Sequence, residues 1–134
     1  MIAIDASALT KFLLKEEGWD VVIRYLRCGT ISPDLVVKEA ANAIWRRHVR
    51  GEITPETVKA MLKALKEIIG KAVKIEGEDE YLEEGLKIAF RQKITIYDSL
   101  YIALAKRKRL KLLTVDRFQT KAAKAEKVET VFIE

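Results

Sequence analysis

Four acidic side chains lie at points where an apolar segment begins or ends, or inside one. Asp5 follows the apolar run MIAI, Asp116 follows the run LLTV, Asp98 opens an apolar helix pattern, and Glu39 lies within another. Carboxylates brought within a few ångströms of each other repel, and Mg²⁺ or Mn²⁺ relieves that repulsion because these hard ions take oxygen ligands. Such a site activates water and stabilises charge on phosphate oxygens. If the fold brings the four acids together, we expect metal-assisted phosphate chemistry.

Each aspartate, taken alone, also has a structural explanation as a helix cap. Asp116 with Gln119 has the spacing of a capping box, Thr95 with Asp98 has the same spacing, and Asp5 precedes a helix pattern that begins near Ser7. Both explanations stay open at this point.

Glu39 is the acid that capping does not explain. It lies inside a helix pattern whose neighbours are mostly apolar, and a partly shielded glutamate needs a partner. Asn42 and Arg46, three and seven residues further on, share its side of the helix and form a polar stripe with it. This stripe is a candidate part of a functional site.

The elements that position these residues are short apolar runs separated by long segments of helical periodicity. Strands separated by helices predict the α/β class, with a central parallel sheet of four to five strands in a three-layer α/β/α sandwich. The predicted strands are Ile2 to Ile4, Thr30 to Ser32, Val73 to Ile75, Leu112 to Val115 and Val128 to Ile133.

Three of the helix patterns carry an expectation about burial. A segment from Thr54 to Gly70 has one apolar stripe, and Asp79 to Lys93 repeats that pattern. The segment from Tyr97 to Arg109 is apolar on nearly every side for two turns, which predicts a buried helix. The apolar stripe of the second pattern contains Tyr81, Leu82, Leu86, Ala89 and Phe90.

Parallel topology predicts that the four acids converge. Ligands of such sheets bind at the carboxyl ends of the strands, where Asp5 and Asp116 lie. A helix that follows a strand starts at that same edge, which places Glu39 near it. The helix that leads into the strand Leu112 to Val115 runs antiparallel to the strands, so its first turn, with Asp98, also belongs at that edge. The strand order, which decides how closely they approach, stays open.

Composition sets limits on the class of protein. We expect one domain over residues 1–134, because a chain of this length buries a sufficient core. Cys28 is the only cysteine, so no internal disulfide or cysteine-rich metal site is expected. No apolar run of membrane-spanning length and no secretory leader pattern occurs, so we expect a cytoplasmic protein without a membrane segment. The net charge of +5 mildly favours a polyanionic partner.

The segments IDASAL (4–9), VKEAANAI (37–44), YDSLYIALA (97–105) and LLTVDRF (112–118) together resemble the PIN-domain nucleases, and most closely the VapC-like toxins of toxin–antitoxin pairs. The resemblance covers essentially the whole chain. It implies a Mg²⁺- or Mn²⁺-dependent endoribonuclease that hydrolyses RNA phosphodiester bonds with metal-activated water, using one or two ions. The catalytic and metal-binding set it implies is Asp5, Glu39, Asp98 and Asp116, supported by Ser7, Asn42 and Thr114.

The resemblance also implies partners: an RNA substrate, a small VapB-like antitoxin and a second copy of the chain in a homodimer. Arg46 and Arg117 are candidate phosphate contacts, whereas His48 is interpreted as part of a helix face. The run KRKRLK (106–111) ends a helix far from Asp98 and is interpreted as a solvated helix end. Two alternatives stay open: a housekeeping RNA-processing PIN nuclease, and a PIN-like module that binds RNA or protein without cutting.

Overall fold

The computed structural model describes all residues 1–134, and a five-stranded parallel sheet forms its centre. The strands occur in the order β3-β2-β1-β4-β5, which confirms the predicted α/β class. Their bounds are β1 Ile2–Ile4, β2 Thr30–Pro33, β3 Val73–Glu76, β4 Leu112–Thr114 and β5 Thr130–Phe132.

Helices form the connections between these parallel strands. The chain crosses from each of the first three strands to the next through two helices, and from β4 to β5 through one. None of these helices is both long enough and apolar enough to span a lipid bilayer. Their bounds are α1 Ala6–Leu13, α2 Trp19–Cys28, α3 Leu35–Val49, α4 Pro55–Ile68, α5 Leu82–Gln92, α6 Ile96–Lys108 and α7 Arg117–Ala125, with a short 3-10 helix at Glu78–Tyr81.

The central strand β1 has neighbours on both sides, which explains its continuous apolar sequence. Ala3 pairs with Ile31 of β2 on one side and with Leu112 of β4 on the other, and all three residues of β1 are buried. Helix α6 packs beside this centre, and residues 99–105 are buried without exception. The predicted buried helix is therefore confirmed.

The apolar stripe predicted for the segment before α6 is wrong at three of its five residues, whereas its Tyr81 is buried. Leu82, Leu86 and Phe90 are 47%, 48% and 76% exposed, whereas Gly85 and Ile88 face inward. The reason is a close approach at Gly85: an added Cβ would lie 3.1 Å from Leu100 Cδ2 and 3.2 Å from Ser99 Oγ of α6. Close packing through the glycine thus decides which face of α5 is buried. In α4 the predicted stripe is only half-buried, and Leu65 is its one fully buried residue.

A buried carboxylate ties α5, α6 and α7 together at the edge of the sheet away from Asp5. Glu126, just after α7, is 4% exposed and accepts hydrogen bonds from Arg91 (2.7 and 3.1 Å), Gln92 (2.6 Å) and Lys106 (3.1 Å). The hydrogen bond with Arg91 is the main cause that lowers the pKa of Glu126 to about 2. We call this group the Glu126 cluster.

Most cations of the run KRKRLK are engaged within the chain. Lys106 joins the Glu126 cluster, Lys108 pairs with Glu76 at 2.9 Å, and Lys111 lies 3.7 Å from Glu129. The Arg107 guanidinium stacks 4.3 Å above the Tyr81 ring. This arrangement agrees with the interpretation of the run as a helix end.

Candidate active site

One pocket of about 370 Å³ collects the four acids predicted from the sequence. Asp5, Glu39, Asp98 and Asp116 all line it, although they come from four separate parts of the chain. The strand order explains this: β1 and β4 are adjacent, so the residues that follow them emerge side by side. Helices α3 and α6 bring Glu39 and Asp98 to the same edge.

Asp5 is the most deeply buried of the four acids, with 4% of its surface exposed. It caps α1 by accepting a hydrogen bond from the Ala8 amide at 3.1 Å. The hydroxyls of Ser7 and Thr114 donate to its two oxygens at 2.6 and 2.5 Å. Burial raises the pKa of Asp5 to about 6, and the charge of Asp116 contributes to the rise, while these hydrogen bonds oppose it.

Ser7 and Thr114 also connect the two strand ends that carry Asp5 and Asp116. Their hydroxyl oxygens lie 3.2 Å apart, and each accepts a backbone amide of the β4–α7 turn. The Val115 amide donates to Ser7 Oγ and the Asp116 amide donates to Thr114 Oγ1, both at 3.1 Å. This hydroxyl clamp, Ser7 and Thr114, fixes the relative position of the two aspartates.

Glu39 is held by a tyrosine that the sequence reasoning did not single out. The buried Tyr101 hydroxyl donates to Glu39 Oε1 at 2.6 Å. Partial burial raises the pKa of Glu39, and the charge of Asp98 adds to the effect, whereas the tyrosine hydrogen bond and Arg46 oppose it. Burial also raises the pKa of Tyr101, so its hydroxyl remains a donor. The sequence feature that could have indicated a role for Tyr101 in the site is its position three residues after Asp98, on the same face of α6.

Asp98 and Asp116 both lie at helix N-termini, and capping coexists with their place in the pocket. The Asp98 amide donates to Thr95 Oγ1 at 3.2 Å, and Asp116 caps α7 by accepting from the Phe118 amide at 2.8 Å. The predicted capping box at Gln119 is incomplete because the Asp116 amide donates to Thr114 Oγ1 and not to Gln119, whose side-chain amide donates to the Asp98 carbonyl at 3.0 Å. Burial raises the pKa of Asp98, with a further contribution from the charge of Asp116.

Some of the predicted site residues do not reach the pocket. Asn42 is exposed and outside the lining, and Arg117 is paired with Glu134 at 3.0 Å. Arg46 does line the pocket. His48 Nδ1 lies at hydrogen-bond distance, 2.9 Å, from the Ile53 carbonyl oxygen, in agreement with a helix-face role.

A second group of pocket residues, next to Arg46, was not predicted from the sequence. Arg47 of α3 and Arg50, which directly follows α3, line the pocket together with Thr10 and Glu16. The spacing of Arg46 and Arg50 could have indicated a shared helix face.

The donor set suits a hard divalent ion. The pocket offers carboxylate and hydroxyl oxygens and no histidine or cysteine, which favours Mg²⁺ or Mn²⁺ over softer metals. No three acidic side chains are close enough to enclose one ion by themselves. Mg²⁺ keeps several of its waters and takes only one or two carboxylates, so the residues fit an ion that is held partly through water.

Comparison with known sequences identifies the family to which a chain with this fold and this pocket belongs. Residues 2–125 match the PIN domain family. The chain therefore belongs to the PIN domain family.

Similar proteins include VapC proteins from Pyrobaculum aerophilum. The chain is 32% identical over 118 residues to Ribonuclease VapC3 of that organism, covering 87% of this chain and 89% of VapC3. It is 30% identical over 131 residues to Exonuclease VapC9, covering 97% of this chain and 92% of that protein. The crystal structure of PAE2754 from the same organism superposes with a TM-score of 0.73 at 26% identity, covering 97% of this chain and 90% of that one.

Proposed function

We propose that this protein is a Mg²⁺- or Mn²⁺-dependent endoribonuclease and the toxin component of a toxin–antitoxin pair. The observation that carries the proposal is the single pocket lined by Asp5, Glu39, Asp98 and Asp116. Membership of the PIN domain family and the similarity to Ribonuclease VapC3 support it.

In this proposal the four carboxylates hold one or two ions, and the surrounding side chains fix the carboxylates in place. When bound, the metal activates water for attack on a phosphodiester and offsets charge on the phosphate oxygens. The hydroxyl clamp orients Asp5, and Tyr101 orients Glu39. Arg46, on the pocket wall, places a positive charge beside the RNA backbone.

The proposal includes three partners and a compartment: an RNA substrate, a small VapB-like antitoxin, a second copy of the chain and the cytoplasm. An antitoxin or a dimer requires apolar helix surface. Most apolar helix residues do not offer it: Leu13, Val22, Leu26 and Leu65 are buried in the core, and Phe12, Tyr25 and Met61 are partly buried against it. Exposed apolar surface occurs instead on α5, at Leu82, Leu86 and Phe90.

Cleavage of a circular RNA tests the proposal and separates two modes of action. Because VapC9 carries the name exonuclease, a substrate without ends is needed to recognise internal cleavage. We expect the wild-type protein to open circular RNA in Mn²⁺, with activity lost in EDTA and in Asp98→Asn. The control is Asp20→Asn, an exposed aspartate on α2. Equal cleavage by wild type and Asp98→Asn would show that the activity does not reside in this pocket.

Tyr101→Phe is expected to reduce metal-dependent cleavage roughly 10-fold, the scale on which groups that orient metal ligands act. The phenyl ring still fills the core, so the fold is retained. Because the hydrogen bond from Tyr101 lowers the pKa of Glu39, its loss raises that pKa further, and the deficit should grow as the pH falls.

Initial rates across a Mn²⁺ series at several pH values measure this effect, and Mn²⁺-induced thermal stabilisation provides a second readout. The control is Tyr25→Phe, a half-buried tyrosine of α2 with no side-chain hydrogen bond. A deficit independent of both pH and Mn²⁺ concentration would contradict a positioning role for Tyr101.

A further inference from the structure

The pocket extends beyond the four carboxylates into a basic region. It is lined there by Thr10, Glu16, Arg46 and Arg47 of α3, and Arg50, the residue that follows α3. We call this region the arginine end. The proposed metal chemistry leaves most of it without a role.

One stripe of α3 runs from the acidic region into the arginine end. Glu39, Ala43, Arg46 and Arg50 all line the pocket, and their spacing of four, three and four residues keeps them on one helix face. At a rise of about 1.5 Å per residue, Arg46 lies roughly 10 Å and Arg50 roughly 16 Å along the helix from Glu39. The two arginines therefore continue outward from the acids in one direction.

The arginines of this region differ in their partners. Arg47 forms an ion pair with Glu16 and lies 3.4 Å from Glu52. Arg46 and Arg50 are exposed and form no ion pair. A guanidinium binds carboxylate and phosphate oxygens in the same forked geometry. The Glu16 carboxylate therefore takes the position on the Arg47 guanidinium that a phosphate would take.

Thr10, on the wall of the arginine end, carries a buried hydroxyl without a partner. It is 8% exposed, and its hydroxyl has no hydrogen-bond partner within the chain. Of the two buried polar side-chain atoms without a partner, this is the one whose residue lines the pocket. Unsatisfied buried hydroxyls are uncommon in folded proteins.

We propose that the arginine end binds the RNA backbone beside the bond to be cut, with Arg46 and Arg50 each contacting a phosphate and Glu16 competing with RNA for Arg47. This rests on the proposed nuclease function. Glu16 thereby limits the affinity for RNA. The stripe that starts on α3 sets the direction in which the RNA strand leaves the carboxylates.

Salt dependence of RNA binding tests the arginine contacts. A fluorescent single-stranded oligoribonucleotide is titrated with full-length Asp98→Asn protein, which keeps the RNA intact, at a series of salt concentrations. Adding Arg46→Ala and Arg50→Ala together should reduce the slope of log affinity against log salt by about 1.4, or about 0.7 for each phosphate that the protein no longer neutralises. The matched control is Arg24→Ala with Arg27→Ala, two exposed arginines of α2 outside the pocket.

A neighbouring pair of glutamates tests the competition. Glu16→Gln should tighten RNA binding about three- to five-fold relative to Glu17→Gln, the scale of one partly exposed ion pair. Both variants remove one negative charge, but Glu17 is exposed and has no ion pair, so a general charge effect would appear equally in both. Equal affinities for the two variants would overturn the role of Glu16.

The remaining outcomes separate this inference from the proposed function. Wild-type slope and affinity in the double arginine variant, with wild-type protein still cutting RNA in Mn²⁺, would overturn the RNA subsite and leave the nuclease intact. Binding of an oligoglutamate peptide through Arg46 and Arg50 as tightly as RNA would assign the region to a protein partner instead. Absence of cleavage by the wild type would overturn the nuclease and the subsite together.

Discussion

Asp5→Asn is expected to abolish RNA cleavage and, in the same variant, to make the metal-free protein more stable. The loss of activity should exceed about 100-fold, since substitutions of residues that only hydrogen-bond to a metal ligand already cost up to that amount. The gain in stability follows from burial, because the wild-type protein holds a carboxylate that is 4% exposed with no cation among its hydrogen-bond partners. The asparagine carbonyl retains an acceptor for the α1 cap.

The pH dependence of this gain has a definite sign. The ordinary pKa of 3.8 applies to Asp5 in the unfolded chain, and burial raises it to about 6 in the fold. Between these values the folded state binds a proton that the unfolded state lacks, so the metal-free wild type loses stability as the pH rises. The full loss is roughly 3 kcal/mol, since one pKa unit corresponds to about 1.4 kcal/mol. The difference between variant and wild type should therefore be near zero at pH 4 and complete above pH 6.

Chemical denaturation in EDTA across this pH range measures the stability, and parallel experiments with Mn²⁺ measure the metal response. Mn²⁺ should stabilise the wild type more than the variant, which reverses their order at high metal concentration. Glu17→Gln serves as the control for removal of an exposed charge. A variant no more stable than wild type at pH 7.5 in EDTA would show that Asp5 is not destabilised by burial.

Glu126→Gln should lower the free energy of unfolding by roughly 2–3 kcal/mol and leave cleavage unchanged. The carboxyl pKa falls from its ordinary 4.5 to about 2 in the Glu126 cluster, and each pKa unit corresponds to about 1.4 kcal/mol of stability. The expected loss in the free energy of unfolding is smaller than the full pKa difference implies. Arg91 and Lys106 are about half exposed, so water can solvate their charges when the carboxylate is removed. Catalysis is spared because the cluster lies outside the pocket that holds the four acids.

Here the pH dependence has the opposite sign from that of Asp5. The stabilisation by Glu126 is present above pH 4.5 and disappears as the pH falls toward 2, because the carboxylate must then be protonated. Acid unfolding curves should thus converge for wild type and Glu126→Gln at low pH. The control is Glu129→Gln, whose carboxylate is 73% exposed and lies 3.7 Å from Lys111. A loss no larger than that of the control would contradict a stabilising role for the cluster.

The sequence was sufficient for the strands and for the edge on which the acids meet. Short apolar runs such as Ile2–Ile4 and Leu112–Thr114 are buried on both faces, and burial on both faces produces a pattern that is easily recognised. Parallel topology then places Asp5 and Asp116 together without any knowledge of contacts, although only the structure shows that their strands are adjacent.

The failures come from features that periodicity does not encode. The exposed face of α5 depends on the close approach of Gly85 to Leu100, which no apolar stripe reveals. Asn42 shares a helix with Glu39 yet points away from the pocket, because the side of α3 that lines it continues through Ala43 and Arg46. Arg117 meets Glu134, a pair far apart in sequence, and such partners depend on tertiary packing.

The position of β1 at the centre of the sheet affects the order of events during protein synthesis. β1 is the first strand to be made, but its neighbour β4 is made only after both β2 and β3 with their helices. Until β4 joins β1, Asp5 has no Thr114 to hold it and no Asp116 beside it. A growing chain thus carries no complete carboxylate pocket, and the ribosome that makes this proposed ribonuclease is not exposed to an active site while most of the polypeptide emerges.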